Sequence, residues 1–218
     1  AQHIHNNGGY VMTAQMNDLM DYDGRQYSIS AIKSKNALFN VEKLGLHPIA
    51  ASSACWRGYI AKFGLDGDSR LLLTDLFVNI EDEEAPAING IMPKRVKIDH
   101  NRLNEYDFNM IAGGNTVYRG VDLPLPFTGS MIICDGFIQE LYVHMGFHDP
   151  YKYEKVIELH FDKGLMTKAE DKSAEAKKQR ENAVRDGRIG IDGGNLEASI
   201  EKTFDFDYDS KWMDEPYE

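Results

Sequence analysis

"SACWRGYIAKFGLDGDSRLLLTDLFVNI", residues 53–80, decides how this chain is read. Tyr59, Ala61, Phe63 and Leu65 alternate with Gly58, Ile60 and Lys62. A period of two marks a half-buried strand. Asp66-Gly67-Asp68-Ser69 supplies the turn, and Arg70 to Ile80 reads as a second strand, apolar on both faces. A strand covered on both sides belongs in the middle of a sheet.

Asp75 interrupts that apolar run. Strict alternation puts it beside Leu71, Leu73 and Phe77, where a carboxylate needs a partner or the solvent margin. Arg57 is the expected partner, because its planar fork meets a carboxylate with two hydrogen bonds. Counting back from the turn does not set the two directly opposite, so the pairing requires a bulge or a neighbouring strand. Tyr118-Arg119-Gly120, followed by "SMIICDGFI", repeats the outline with Asp135 in the acidic position. Arg, Gly, Asp and Phe recur between the two segments, a likeness that short apolar strands reach readily without duplication.

The rest of the chain is punctuated by turns. Asp23-Gly24 between "LMDY" and "RQYSISAI" is two-residue hairpin chemistry. "NALFNVEKLGLHP" predicts a short helical turn stopped at Gly45, with Pro48 preventing its resumption. "EDEEAPAING" reads as a surface loop, "VKI" as a candidate strand, and the prolines of "VDLPLPF" exclude a central strand, leaving an extended edge or loop. "SMIICD" is a short buried strand, and "KVIELHF" is another, turned by Asp162-Lys163-Gly164. "GFIQELYVHM" fits helix or strand.

A polar helix is predicted near 169–187, rich in Ala, Glu, Lys and Arg and short of large apolar residues, so it lies on the surface or projects. The expected fold is α+β: a mostly antiparallel sheet with one or two packed helices. Residues 1–12 read as a flexible leader, either native or foreign to a chain starting at Met12. Residues 13–188 read as a single domain, and 189–218 as a Gly-rich linker and flexible acidic aromatic tail, "FDFDYDSKWMDEPYE".

Bulk properties narrow the function. Among the 218 residues, 42% hydrophobic and 27% charged is the balance of an ordinary globular protein. No apolar run approaches the length of a membrane-spanning helix, and the N-terminal stretch has neither part of a signal peptide. A net charge of −11 disfavours nucleic acid and would steer in a basic protein. Cys55 and Cys134 sit in apolar stretches, as small buried hydrophobes in a reducing, cytoplasmic setting; one disulfide pairing stays open.

Two candidate sites emerge. Trp56, Arg57, Tyr59, Asp75, Tyr118, Arg119 and Asp135 could line a pocket for an anion or planar ligand. The competing reading is that the arginines satisfy aspartates and orient strands. Glu140, His144 and His148, four apart, would share one face of a continuous helix and offer a divalent metal site, although Gly146 and Asp149-Pro150 threaten its last turn. No other cofactor is implied: "AGGN" and "DGGN" lack phosphate-loop chemistry, and no nucleophile elbow surrounds Ser52 or Ser53. His160 alternates outward in "KVIELHF" without a sequence companion.

The leading functional expectation is an accessory binding protein that engages a basic partner, in the manner of an inhibitor or immunity protein. The alternative is a small-molecule or anion-binding, hydrolase-like enzyme around Arg57 and Arg119, with metal assistance at His144 and His148. Self-association through a sheet edge is a third reading.

Overall fold

The computed structural model describes residues 14–34, 38–82, 84–96, 114–142 and 146–185, and the structural statements that follow concern these residues. Within them, nine strands form one sheet and a single α-helix packs on it. The strands are β1 (Leu19–Tyr22), β2 (Arg25–Ser34), β3 (Tyr59–Leu65), β4 (Leu71–Val78), β5 (Lys94–Arg95), β6 (Thr116–Pro124), β7 (Gly129–Phe137), β8 (Tyr153–Asp162) and β9 (Leu165–Asp171). The helix, α1, is Ser173–Arg185. The sheet order is β5-β6-β4-β3-β1-β2-β7-β8-β9. Only β1 and β3 pair in parallel, so the sheet is mixed but predominantly antiparallel, and the α+β class holds with the sheet dominant.

Turn chemistry places the strands. Asp23 (φ 49°) and Gly24 (φ 72°) both adopt the left-handed backbone that matches hairpin twist. Asp66 organises the β3–β4 turn, its Oδ1 accepting the backbone N–H groups of Asp68 (2.9 Å) and Arg70 (2.8 Å). A short 3-10 turn, Glu42–Leu44, stops at Gly45 as its sequence predicts. Here local chemistry suffices.

β4 lies between β3 and β6, as its two apolar faces require, but it does not alternate strictly. Lys62 pairs with Asp75 and Phe63 with Leu73, leaving Thr74 as an extra residue in a bulge. The bulge resets the phase. Leu71, Leu73, Leu76 and Val78 all enter the main core, while Asp75 turns to the opposite face with Phe77. There Asp75 stands between Lys62 of β3 and Arg119 of β6, and Lys62 is ion-paired with Asp21 of β1 at 2.7 Å. An aspartate inside an apolar run is thus one rung of a charge-alternating row on the outer face. Such cross-strand neighbours attract, each pair contributing about 0.2–1 kcal/mol.

The sheet curls around the inner-face core, built from Met20, Tyr27, Ile29, Phe63, Tyr118, Met131, Leu159 and their neighbours. Its far edge comes back on itself: Leu165, opening β9, bridges Arg70 just before β4. The β8–β9 turn is the fastener, with Gly164 accepting from Leu71 N–H (2.8 Å) and donating to Phe127 O (2.7 Å). Gly164 has φ +85°, and a Cβ there would lie 2.3 Å from Leu125 O, so backbone approach itself selects glycine. The "VDLPLPF" segment is an extended edge, as its prolines require: beyond the short β5 pairing at Thr116 and Val117, β6 runs on to Pro124 paired only with β4, Pro124 opposite Leu72, before the chain leaves.

The helix begins later than the expected 169–187. Residues 169–171 complete β9, where Ala169, Glu170 and Asp171 pair with Leu159, Glu158 and Ile157. The boundary has a local cause: the Asp171 carboxylate accepts the Ser173 N–H (2.9 Å), an Asx turn that leads the chain out of β9 and into the helix. Lys155 Nζ, 2.6 Å away, and Ser173 together hold the Asp171 carboxyl down at about 2. Although polar, α1 does not project. It lies on the outer face through buried Ala176 and Ala183, Ala176 joining Ala31, Ile132, Cys134, Tyr153 and Val156. Arg180 pins it by donating to Tyr151 O (2.8 Å) and Tyr153 O (3.2 Å).

Candidate functional site

Arg57 belongs to the segment that crosses the outer face before β3. Its guanidinium forms a two-pronged pair with Asp18: Nη1 lies 2.9 Å from Oδ2 and Nη2 lies 3.1 Å from Oδ1. The side chains are 10% and 4% exposed, so both charges are withdrawn from water together. Asp18 also accepts the Ala61 N–H at 2.8 Å, while Arg57 Nη2 donates to Met16 O at 3.4 Å. The rings of Tyr59 and Phe147 lie 4.7 and 5.2 Å from the guanidinium carbon. Gln15 completes the clasp, accepting from Trp56 N–H (3.0 Å) and donating to Ser53 O (2.9 Å).

The expected Arg57–Asp75 pairing is therefore not formed. The partner, Asp18, immediately precedes β1, which the parallel β1–β3 pairing brings alongside. Such a fork-on-carboxylate pair, with Asp18 also accepting the Ala61 N–H, ties the approach to β1 to β3.

Arg119 sits elsewhere. It opposes Asp75 across β4 and β6, with its guanidinium carbon 5.6 Å from the centre of the Phe77 ring. Asp75 Oδ1 accepts the Gly120 N–H at 3.1 Å, holding the irregular part of β6. Tyr118 points to the other side, fully buried in the main core, its hydroxyl donating to Pro86 O at 2.7 Å. Asp135 is exposed near the end of β7, accepting its neighbour Gly136 N–H at 2.7 Å. Four strands separate β6 from β7 in the sheet, whereas β3 and β4 are direct neighbours, so the two Arg-Gly segments occupy unlike positions. The structure brings Trp56, Arg57 and Tyr59 together, and Asp75 with Arg119, but not the seven residues into one group.

Of the expected metal set, His144 lies outside the described residues. No continuous helix carries the other two: β7 ends at Phe137, a 3-10 turn spans Gln139–Leu141, and Glu140 is exposed on it. His148 is buried against Phe137 and Tyr142, ring centres 4.6 and 5.2 Å away, and neither ring nitrogen has a hydrogen-bond partner. Burial, reinforced by the Lys152 ammonium and opposed by Asp149, pushes the imidazole down to about 4.

A pH effect follows from His148. Unfolded, the imidazole titrates near 6.5, so between that value and about 4 the unfolded chain binds the extra proton. The contribution is fully present above pH ~6.5 and lost as pH falls toward 4, on the order of 3 kcal/mol in all. Urea midpoints measured across this interval should fall for the native chain. They should fall distinctly less for His148→Phe, and equal slopes would refute the assignment.

Both cysteines are free and buried, and burial raises both thiols, so neither has the character of an activated nucleophile. The companion that His160 lacks in sequence comes from the next strand. Glu158 and Glu170 both approach its ring, and only the β8–β9 register reveals the meeting. The alternating Glu-x-His in "VIELHF" was the visible half of that signal.

No protein-family model matches the chain, and neither a curated protein nor a solved structure matches it.

Proposed function

We propose that the chain is a binding protein whose acidic, aromatic C-terminal segment engages a basic protein partner, as an inhibitor or immunity-like accessory would. Charge distribution carries this reading. Residues 189–218 hold nine Asp and Glu against two Lys, so −7 of the net −11 resides in thirty residues. Phe204, Phe206, Tyr208, Trp212 and Tyr217 are interleaved with those acids. Negative charge raises encounter rates with a basic surface, and the aromatics offer area to bury once contact is made.

The described domain supports the reading by what its arginines already do. Arg57 already gives two donors to Asp18, and with the two side chains only 10% and 4% exposed the pair presents little of its charge to an incoming anion. Arg119 lies on a different part of the outer face, against Phe77 and opposite Asp75.

The test is titration calorimetry of the full chain against a panel of strongly basic proteins at low and high salt. A binder should bind at low salt and weaken as salt is added. Replacing Asp205, Asp207 and Asp209 together by Asn should weaken it at least about tenfold, a loss of about 1.4 kcal/mol. Binding that ignores both salt and the triple substitution would refute the proposal.

A further inference from the structure

On the outer face of the β8–β9 pair, three side chains with metal-binding donors meet. Glu158 and His160 are two apart on β8 and so share a face, and Glu170 stands directly opposite Glu158 on β9. One donor atom from each lies within 4.8 Å of the other two. His160 Nε2 is 3.1 Å from Glu170 Oε2 and 3.6 Å from Glu158 Oε1. These separations bracket the edge of a tetrahedron built on zinc–ligand bonds of ~2.0–2.1 Å, which is about 3.3 Å.

Carboxylates directly opposite each other across an antiparallel pair repel. Here both aim at the same imidazole nitrogen, which in the neutral ring has at most one N–H to offer. The flanking lysines take the other oxygens: Lys168 Nζ is 3.0 Å from Glu170 Oε1, and Lys172 Nζ is 3.8 Å from Glu158 Oε2. Each carboxylate is thus oriented through one oxygen while the second faces the imidazole. All three side chains are 15–32% exposed, open enough for an ion to enter and shielded enough to hold it.

We infer that Glu158, His160 and Glu170 form a site for a divalent transition-metal ion. The ligands are one imidazole nitrogen and two carboxylate oxygens, with the remaining coordination positions open to solvent. The ion takes the place of the Nε2 proton, which moves to Nδ1 or is released to solvent. An imidazole with carboxylates suits zinc, cobalt or nickel better than magnesium or calcium, which favour all-oxygen sets. The lysine charges oppose the ion, so micromolar rather than nanomolar binding is expected.

The test is calorimetric titration of the full chain with Zn2+ at neutral pH, beside His160→Asn and Glu170→Gln. The expected result is an ion bound at this site, weakened at least about tenfold by either substitution. Absence of Zn2+ binding, or binding that neither substitution alters, overturns the inference, the latter placing the ion on other histidines. A second measurement needs no variant: Co2+ added to the unsubstituted chain should shift or broaden the His160 ring signals in the proton NMR spectrum. Unmoved His160 signals in a Co2+-loaded chain would likewise overturn it.

Discussion

Replacing Asp18 by Ala should lower the free energy of unfolding by about 3–5 kcal/mol, among the largest effects expected of one side chain here. The carboxylate accepts both prongs of Arg57 and the Ala61 N–H, and it is 4% exposed. Its removal leaves a guanidinium and an amide withdrawn from water without their acceptor, and the desolvation cost is then uncompensated. The double variant Asp18→Leu with Arg57→Met should recover much of the loss, because neither charge remains buried alone. Urea unfolding of the native chain, both single variants and the pair completes the cycle. A cost below about 1 kcal/mol for Asp18→Ala, the level of an exposed pair, would show that the joint is not buried as described.

Gly58→Ala should cost more than about 3 kcal/mol, or abolish folding. Gly58 has φ +72°, and a Cβ at this position would lie 2.1 Å from Ile49 O and 2.7 Å from Ile49 C. A left-handed backbone costs a non-glycine residue roughly 1–2 kcal/mol before any collision. The clash is with main chain, so no rotamer relieves it. Moving Ile49 away would strain a tight set of hydrogen bonds, since Ile49 N–H donates to Asn79 O and Asn79 N–H donates to Gly58 O. Gly67→Ala is the control: nothing lies within 4 Å of its added Cβ, and it should change stability little. Equal denaturation midpoints for the two variants would contradict the packing described at Gly58.

These two residues show what the sequence made legible. The Arg-Gly step at 57–58 stands out in it, and the glycine's reason is local backbone conformation plus one close approach. The arginine's partner was not legible. Asp18 lies 39 residues earlier and reaches Arg57 only through the parallel β1–β3 pairing, whereas turn chemistry pointed to the strand that follows, with Asp75 on it.

Turns are legible in the sequence where two or three residues determine them, as at Asp23-Gly24, Asp66 to Ser69 and Asp162-Lys163-Gly164. The phase of β4 is not, because one extra residue at Thr74 carries Asp75 from the side of Leu73 to the other face. Period-two reasoning cannot detect a bulge that leaves composition unchanged. The helix start is hidden for a related reason. Lys168 to Asp171 has helix-like composition, yet pairing with β8 extends the strand until Asp171 turns the chain at Ser173. Glu158, His160 and Glu170 were likewise invisible as a group, since their meeting depends on register between strands.

Partner binding is proposed to belong to the acidic C-terminal segment, with the Arg57–Asp18 pair as scaffold. The most direct measurement compares two full-length variants against the same basic protein at low salt. The Asp18→Leu, Arg57→Met chain should retain the native dissociation constant, and the Asp205, Asp207, Asp209→Asn chain should lose at least about a factor of ten. The opposite pattern, with binding lost when the buried pair is replaced and kept when the three aspartates are neutralised, would contradict the account.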